Sequence, residues 1–239
     1  MSGTIPMRFD PDDWAAVHDR REARHFAFRR GLELCLERCG ARVRPGDLWV
    51  DAGAGTGHLA AALAARGART AGCDLDPAMA FYARRRWSLP FAVAAAGGLP
   101  LADGAASGVV AVSLLGCLAG SVELAGFLAE TARVLTPGGT LCLTAMNRQS
   151  RLLALGKLWG WPARLRSGRF TAYDPEALAG ALQGFGFVVE EQIFYGHFLA
   201  AGGLVVPRPE SAQRRERSAP PGARDPWARQ ILLVARRAA

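Results

Sequence analysis

The chain has 239 residues, half of them apolar, and a formal charge of +8 from 29 basic and 21 acidic residues. That content is enough to bury a sizeable core and excludes disorder over most of the length. Lys157 is the only lysine, and arginines scattered through an Ala- and Gly-rich chain without aromatic interleaving describe a solvated surface, not a nucleic-acid footprint. The five cysteines form no CxxC pair, which excludes a disulfide framework or a zinc knuckle. Cys35 and Cys39 are neighbours at helical spacing, but no further His or Cys stands at usable spacing, so no metal site is expected. The N-terminus has no basic segment followed by an apolar run, and no apolar stretch reaches the roughly 18 uncharged residues of a membrane helix. A soluble, cytoplasmic protein of unknown oligomeric state is expected.

In chain order, Trp14, Val17, Phe26, Phe28, Leu32, Leu34 and Leu36 recur at mostly helical spacing, which predicts helix from Asp12 to Arg38. "RPGD" at 44–47 is a turn. Alternation then begins: strand "LWVDAG", helix "HLAAALAARG", strand "RTAGCDL", helix "DPAMAFYARRRW" with Pro77 in its first turn, and strand "FAVAAA". The strand "GVVAVSLLGCL" follows, then the helix "SVELAGFLAETARVL", the turn "TPGG" and the strand "TLCLTAMN". Strands alternating with helices predict an α/β fold with a parallel, doubly wound sheet, because parallel neighbours need crossovers of about this length. Residues 148–173 break the pattern, with two tryptophans and five arginines. Order returns with the helix "DPEALAGALQGFG", capped by Asp174, and the strand "FVVEEQIFYG". Residues 207–226, rich in Pro, Arg and Ser, read as a mobile loop, and "ARQILLVARRA" suits a last strand inside the sheet. One domain over 1–239 accounts for this, with an N-terminal helical cap (1–44), a core (45–147), an added segment (148–173) and C-terminal helix and strands (174–239).

The glycines at 53, 55 and 57 lie at the carboxyl end of the first strand, where open α/β sheets bind ligands. There they let the main chain turn tightly and approach a ligand with no Cβ in the way. A dinucleotide loop of the GxGxxG type needs glycine where His58 stands, which argues against an NAD enzyme. The stretch "VDAGAGTG" instead resembles the first motif of the class I S-adenosylmethionine-dependent methyltransferases. The likeness continues in "GCDLDPAM", "GLPLADGAASGVVAVSLLGCL", "RVLTPGGTLCLT" and "YDPEALAGALQGFGF", the last similar to the family's small-molecule, UbiE-like branch. It covers roughly residues 45–195 plus the last strand.

The resemblance implies a seven-stranded Rossmann-like sheet, mostly parallel with an antiparallel last strand. It implies S-adenosylmethionine as cofactor, with S-adenosylhomocysteine as product. Gly53, Gly55 and Gly57 would line its methionine and ribose portion. Asp51 would anchor the loop or meet the methionine ammonium through water, Asp74 would hold the ribose hydroxyls, and Leu75 would lie on the adenine. Asp76 is expected to cap the second crossover helix, which leaves Asp74 for the ligand. Two departures stand out: Ala95 takes the position where relatives carry an acid or amide for the adenine amino group, and Gly116 and Cys117 stand where they frequently carry a His. The base candidates are then His197, Tyr195 and His18, with His25 also considered. Residues 148–173 are expected to form a lid that offers Trp159, Trp161 and Phe170 to a small aromatic or hydrophobic substrate. The expected activity is methyl transfer to oxygen or carbon of that small molecule, with no nucleic-acid partner. The other reading is a catalytically lapsed protein of the same fold that serves as a binding or scaffolding partner.

Overall fold

A computed structural model describes residues 15–16, 26–118, 120–152, 171–197, 199–201, 204–206 and 216–238. Helix α1 (Phe26–Gly40) leads into strand β1 (Leu48–Ala52), α2 (His58–Ala64), β2 (Arg69–Asp74), α3 (Pro77–Trp87), β3 (Phe91–Val93) and β4 (Ala106–Ala111). A single 3-10 turn (Leu115–Cys117), α4 (Gly120–Val134), β5 (Leu135–Asn147), β6 (Ala172–Tyr173), α5 (Pro175–Gly184) and β7 (Phe187–Tyr195) follow. The short strands β8 (Leu199–Ala201), β9 (Leu204–Val206) and β10 (Arg217–Ala219) precede the last strand, β11 (Gln230–Arg237).

The main sheet has nine strands in the order β10-β7-β11-β5-β4-β1-β2-β3, with β6 paired to β5. Strands β1 to β5 run parallel, and β11 inserts antiparallel between β5 and β7. This is the expected mostly parallel sheet with its antiparallel last strand. It carries two additions beyond seven strands: the two-residue β6, and β10 on the outer edge of β7. The second corrects the reading of 207–226 as a loop throughout. The free edge of β7 offers unpaired backbone groups, and residues 217–219 pair with them. The turn beyond is fixed by Gln192, whose Nε2 donates to Ala223 O at 3.0 Å and whose Oε1 accepts from Gly222 N at 2.9 Å. The antiparallel β8–β9 pair was not foreseen either. Part of the sequence-predicted helix before Phe26 lies outside the described residues. "TPGG" makes its turn within β5, where the register against β4 jumps from Leu135 to Thr140.

Strand side chains alternate between the two faces, and each face has its own core. Val50, Leu141, Leu143, Ile231 and Leu233 meet Phe127 and Leu128 of α4 and Leu178 and Leu182 of α5. Trp49, Val110, Cys142, Leu232 and Val234 meet Leu34, Cys35 and Cys39 of α1 and Leu59 and Leu63 of α2. The buried Trp49 ring needs a gap in the neighbouring strand. Gly108 provides it, since a Cβ there would lie 2.4 Å from the indole. Caps appear where the sequence predicts them: Asp76 accepts from Ala78 N at 2.9 Å, and Asp174 from Glu176 N and Ala177 N, each followed by Pro at the helix start. No helix among the described residues is long and apolar enough to cross a membrane.

Cys142 of β5 joins Cys35 and Cys39, so that three sulfur ligand atoms lie within 4.8 Å of one another, all buried. Spacing along the chain could not show this, because the third thiol is more than 100 positions away and arrives through packing of α1 on the sheet.

Asn147 ties the end of β5 to the turn before β11. Its buried amide donates to Asp225 O at 2.8 Å and Ala228 O at 2.9 Å and accepts from Gln149 N at 3.0 Å. Asn147→Ala strands three backbone groups at about 1 kcal/mol each, about 3 kcal/mol in all. Thermal unfolding should show Tm lowered by roughly 6–12 °C.

Candidate functional site

Beyond β1 the chain turns through Gly53, Gly55 and Gly57, with φ of +67, +52 and +82°. All three occupy the left-handed region that side chains disfavour, which accounts for glycine at every second position. Space is short as well: a Cβ on Gly53 would lie 2.8 Å from the Leu114 side chain. One on Gly57 would lie 2.7 Å from Phe91 and 2.9 Å from Trp87. The Trp87 indole N–H donates to Thr56 O at 2.8 Å, and its ring meets His58 edge-on with centroids 5.5 Å apart. His58 is thus held in the first turn of α2, at the cavity margin.

Two carboxylates frame the loop. Asp51, 3% exposed, accepts from Ala60 N in α2 at 3.1 Å, which supports the anchoring alternative of the two read from the sequence. Asp74 ends β2, with one oxygen accepting from Gly55 N at 2.8 Å and the other from Asp76 N at 2.9 Å. A carboxylate has about four acceptor sites on its two oxygens, so these bonds orient Asp74 while leaving it capacity to accept from a ligand. Asp76 is committed to capping α3.

The loop and Asp74 open into a cavity of about 820 Å³. Leu75 lines it and is 72% exposed. Ala94–Gly98 form the adjoining wall, and Ala95 presents no side-chain acceptor there. The cavity continues past the end of β4 to Val112, Ser113, Leu114, Cys117, Leu118, Val122 and Glu123, while Phe28 and Leu32 of α1 complete its wall. Ser113 holds a left-handed backbone, φ +63°, and its N–H is fixed by Thr144 Oγ1 at 2.9 Å. Strain of this kind in a non-glycine residue costs on the order of 1–3 kcal/mol and concentrates at functional sites. Partial desolvation in the cavity wall, and then the negative charge of Asp74, push the Cys117 thiol up.

The sequence-predicted cofactor residues Asp51, Gly53, Gly55, Asp74 and Leu75 come together on this cavity. Gly57 stands behind the loop and packs on α3 and β3. The base candidates do not join them. Tyr195 is buried beneath α1, its hydroxyl paired with Thr144, and burial pushes its phenol well above the usual range. His197, 4% exposed, pairs through Nε2 with Asp225 at 3.2 Å. Asp225 in turn accepts from Trp227 N and Ala228 N, so the pair braces the turn before β11. Neither residue lines the cavity. His18, His25, Trp159, Trp161 and Phe170 lie outside the described residues. The far end of the 148–173 segment is described: Thr171 donates from N to Gly116 O at 2.8 Å and from Oγ1 to Leu118 O at 2.7 Å, and Tyr173 donates to Leu115 O at 3.1 Å. Residues 171–173 are therefore fastened to the 3-10 turn that walls the cavity.

Sequence reasoning missed Phe28, Leu32, Ser113 and Glu123. The i,i+4 apolar spacing of Phe28 and Leu32 was a usable signal, but it reads equally as helix packing. Nothing in "AVSLL" announces a left-handed serine.

Comparison with known proteins agrees with this geometry. Residues 50–143 match the methyltransferase domain family. A demethylmenaquinone methyltransferase of Tropheryma whipplei is 33% identical over 120 residues, 47% of each chain. One of Beutenbergia cavernae is 36% identical over 146 residues, 58% of this chain and 60% of the relative. The chain thus spans about half the length of the curated relatives it matches. Among solved structures, a Thermotoga maritima S-adenosylmethionine-dependent methyltransferase described as a possible histamine N-methyltransferase aligns with TM-score 0.64. It is 19% identical, with 95% of this chain and 97% of that one covered. Residues 50–143, with the glycine loop, Asp74 and the fourth strand, match the methyltransferase domain family, and the chain around them has the fold of class I S-adenosylmethionine-dependent methyltransferases.

Proposed function

We propose that this protein is an S-adenosylmethionine-dependent methyltransferase, acting as one domain, that transfers a methyl group to oxygen or carbon of a small hydrophobic or aromatic metabolite. The observation that carries the reading is Asp74, whose two oxygens are already oriented by Gly55 N and Asp76 N at the mouth of a glycine loop. When the cofactor is bound it supplies an activated methyl group on a sulfonium. Asp74 holds the ribose by charge-assisted hydrogen bonds, the loop backbone admits the methionine portion, and Leu75 with Ala94–Gly98 encloses the adenine by shape. The cavity is near the upper end of the roughly 300–1,000 Å³ found for small-molecule sites. That size and the mostly apolar wall from Phe28 to Val122 support an acceptor seated beside the cofactor. An aromatic acceptor such as demethylmenaquinone, for which the two curated relatives are named, suits that wall.

In-line displacement from a sulfonium draws much of its rate from positioning and exclusion of water. The candidate base at the acceptor end is Glu123, in the first turn of α4 beside Val122, because Asp51 anchors the loop, Asp74 faces the ribose, Asp76 caps α3 and His58 packs on Trp87. Glu123→Gln should lower kcat by about 10²–10⁴-fold, the range of a general base, with affinity for S-adenosylmethionine unchanged in calorimetry. An unchanged kcat would assign the step to positioning alone.

The test of function is incubation with methyl-labelled S-adenosylmethionine and a panel of phenolic and quinol acceptors. Label in one of them supports the reading. Tight cofactor binding with no transfer to any acceptor would support the lapsed alternative, which Ala95 motivates.

A further inference from the structure

The three-thiol cluster lies outside the cofactor cavity and has no part in the proposed transfer. Cys35 and Cys39 project from one face of α1, and Cys142 rises to meet them from β5, where it pairs with Val110 of β4 and Val234 of β11. Each cysteine is 0% exposed. The Cys35 and Cys39 sulfurs are 3.9 Å apart, and all three lie within 4.8 Å of one another. An ion bound at the usual thiolate distance of about 2.3 Å to three sulfurs in one plane needs sulfurs about 4.0 Å apart. The helix pair already meets that spacing, and the third sulfur lies within 4.8 Å of both.

The donor set selects the class of ion. Among the described residues no carboxylate or imidazole joins the three sulfurs, and the shell is mostly apolar, with Leu34, Trp49, Ile193 and Leu232 around it and the Tyr195 phenol within electrostatic reach. Zinc in a closed structural site takes four ligands in a tetrahedron, and this site offers three. Soft thiolates favour soft ions, whose bonds to sulfur are covalent enough to tolerate apolar surroundings. Arg42 places a positive charge within electrostatic reach of the cluster, with Glu191, its ion-pair partner, beside it.

We propose that Cys35, Cys39 and Cys142 form a three-thiolate site for a soft, thiophilic metal ion that accepts three-coordination, cuprous copper being the physiological ion of that class. Binding releases thiol protons to solvent and forms three metal–sulfur bonds with no change of oxidation state. The ion joins α1 to β5. Because α1 also carries Phe28 and Leu32 to the cavity wall, it fixes that wall against the sheet.

The test is anaerobic titration of the reduced, full-length protein with Cu(I) against a chromophoric chelator, with parallel titrations of Zn(II) and arsenite. The expected result is uptake of one Cu(I) per chain, with a thiolate-to-metal charge-transfer band and a raised Tm. Cys142→Ala and Cys39→Ala should weaken uptake on the order of 100-fold or more, whereas Cys117→Ala, at an exposed thiol, should leave it unchanged. Because the core variants can lose stability, X-ray absorption at the copper edge of the wild-type complex gives an independent reading of three sulfur neighbours. Arsenite binding without Cu(I) uptake would place the site with trivalent thiophiles and overturn the copper assignment. Tighter Zn(II) than Cu(I) binding, uptake abolished by Cys117→Ala, or a disulfide among the three cysteines after anaerobic purification would overturn the site.

Discussion

Asp74→Ala should weaken S-adenosylmethionine binding by on the order of 100-fold or more, the largest effect on cofactor affinity expected of any single cavity substitution. Hydrogen bonds to a charged group contribute about 1.5–3 kcal/mol each, and two ribose hydroxyls would be lost together. The carboxylate also holds Gly55 N and Asp76 N at 2.8 and 2.9 Å, so the alanine variant loosens the loop as well as removing the grip. Asp74→Asn separates the two contributions. Its side chain keeps the shape and one acceptor but turns its NH2 toward the other backbone N–H, so Tm should recover only in part while affinity remains well below wild type. Calorimetry and thermal unfolding on both variants check this. Wild-type affinity in Asp74→Ala would show that the ribose is held elsewhere.

Gly57→Val should produce the largest loss of stability among loop substitutions. The residue would be forced to keep φ +82°, a left-handed conformation costing about 1–2 kcal/mol. Its Cβ would press on Phe91 at 2.7 Å, Trp87 at 2.9 Å and Ala83 at 3.0 Å, which adds about 1–3 kcal/mol of overpacking. The sum, about 2–5 kcal/mol, corresponds to a Tm lower by roughly 5–20 °C for a chain of this size. Gly67→Ala is the matching control, because Gly67 has φ +92° with open space around it. It carries the backbone cost alone and should lose only the first part. Equal losses at the two positions would show that packing on Phe91 and Trp87 is not what makes Gly57 necessary.

The elements that obey local rules were legible in the sequence. Strands buried on both faces read as apolar runs, Asp76–Pro77 and Asp174–Pro175 marked helix starts, and the glycine loop with Asp74 marked the ligand end of the sheet. Features created by packing between distant segments were not legible. β10 forms because β7 has a free edge, Cys142 meets Cys35 and Cys39 because α1 lies on β5, and Phe28 reaches the cavity by the same docking. The base assignments show the limit most clearly. His197 follows β7 as expected, but its ring turns inward to Asp225, and Tyr195, two residues before it, is covered by α1 and faces Thr144. A strand end gives the neighbourhood of a side chain. Its alternation and the elements packed on it decide whether the side chain meets ligand or core. Glu123 was passed over because a charged residue in the first turn of an amphipathic helix reads as ordinary helix chemistry.

The central claim is that the glycine loop and Asp74 form a site for S-adenosylmethionine. The most direct measurement is calorimetric titration of the purified wild-type protein with S-adenosylmethionine and S-adenosylhomocysteine, with NAD as the comparison. The site described here predicts saturable binding of both sulfur compounds in the micromolar range and no heat with NAD. Absence of binding to both, or saturable binding of NAD in their place, would contradict it.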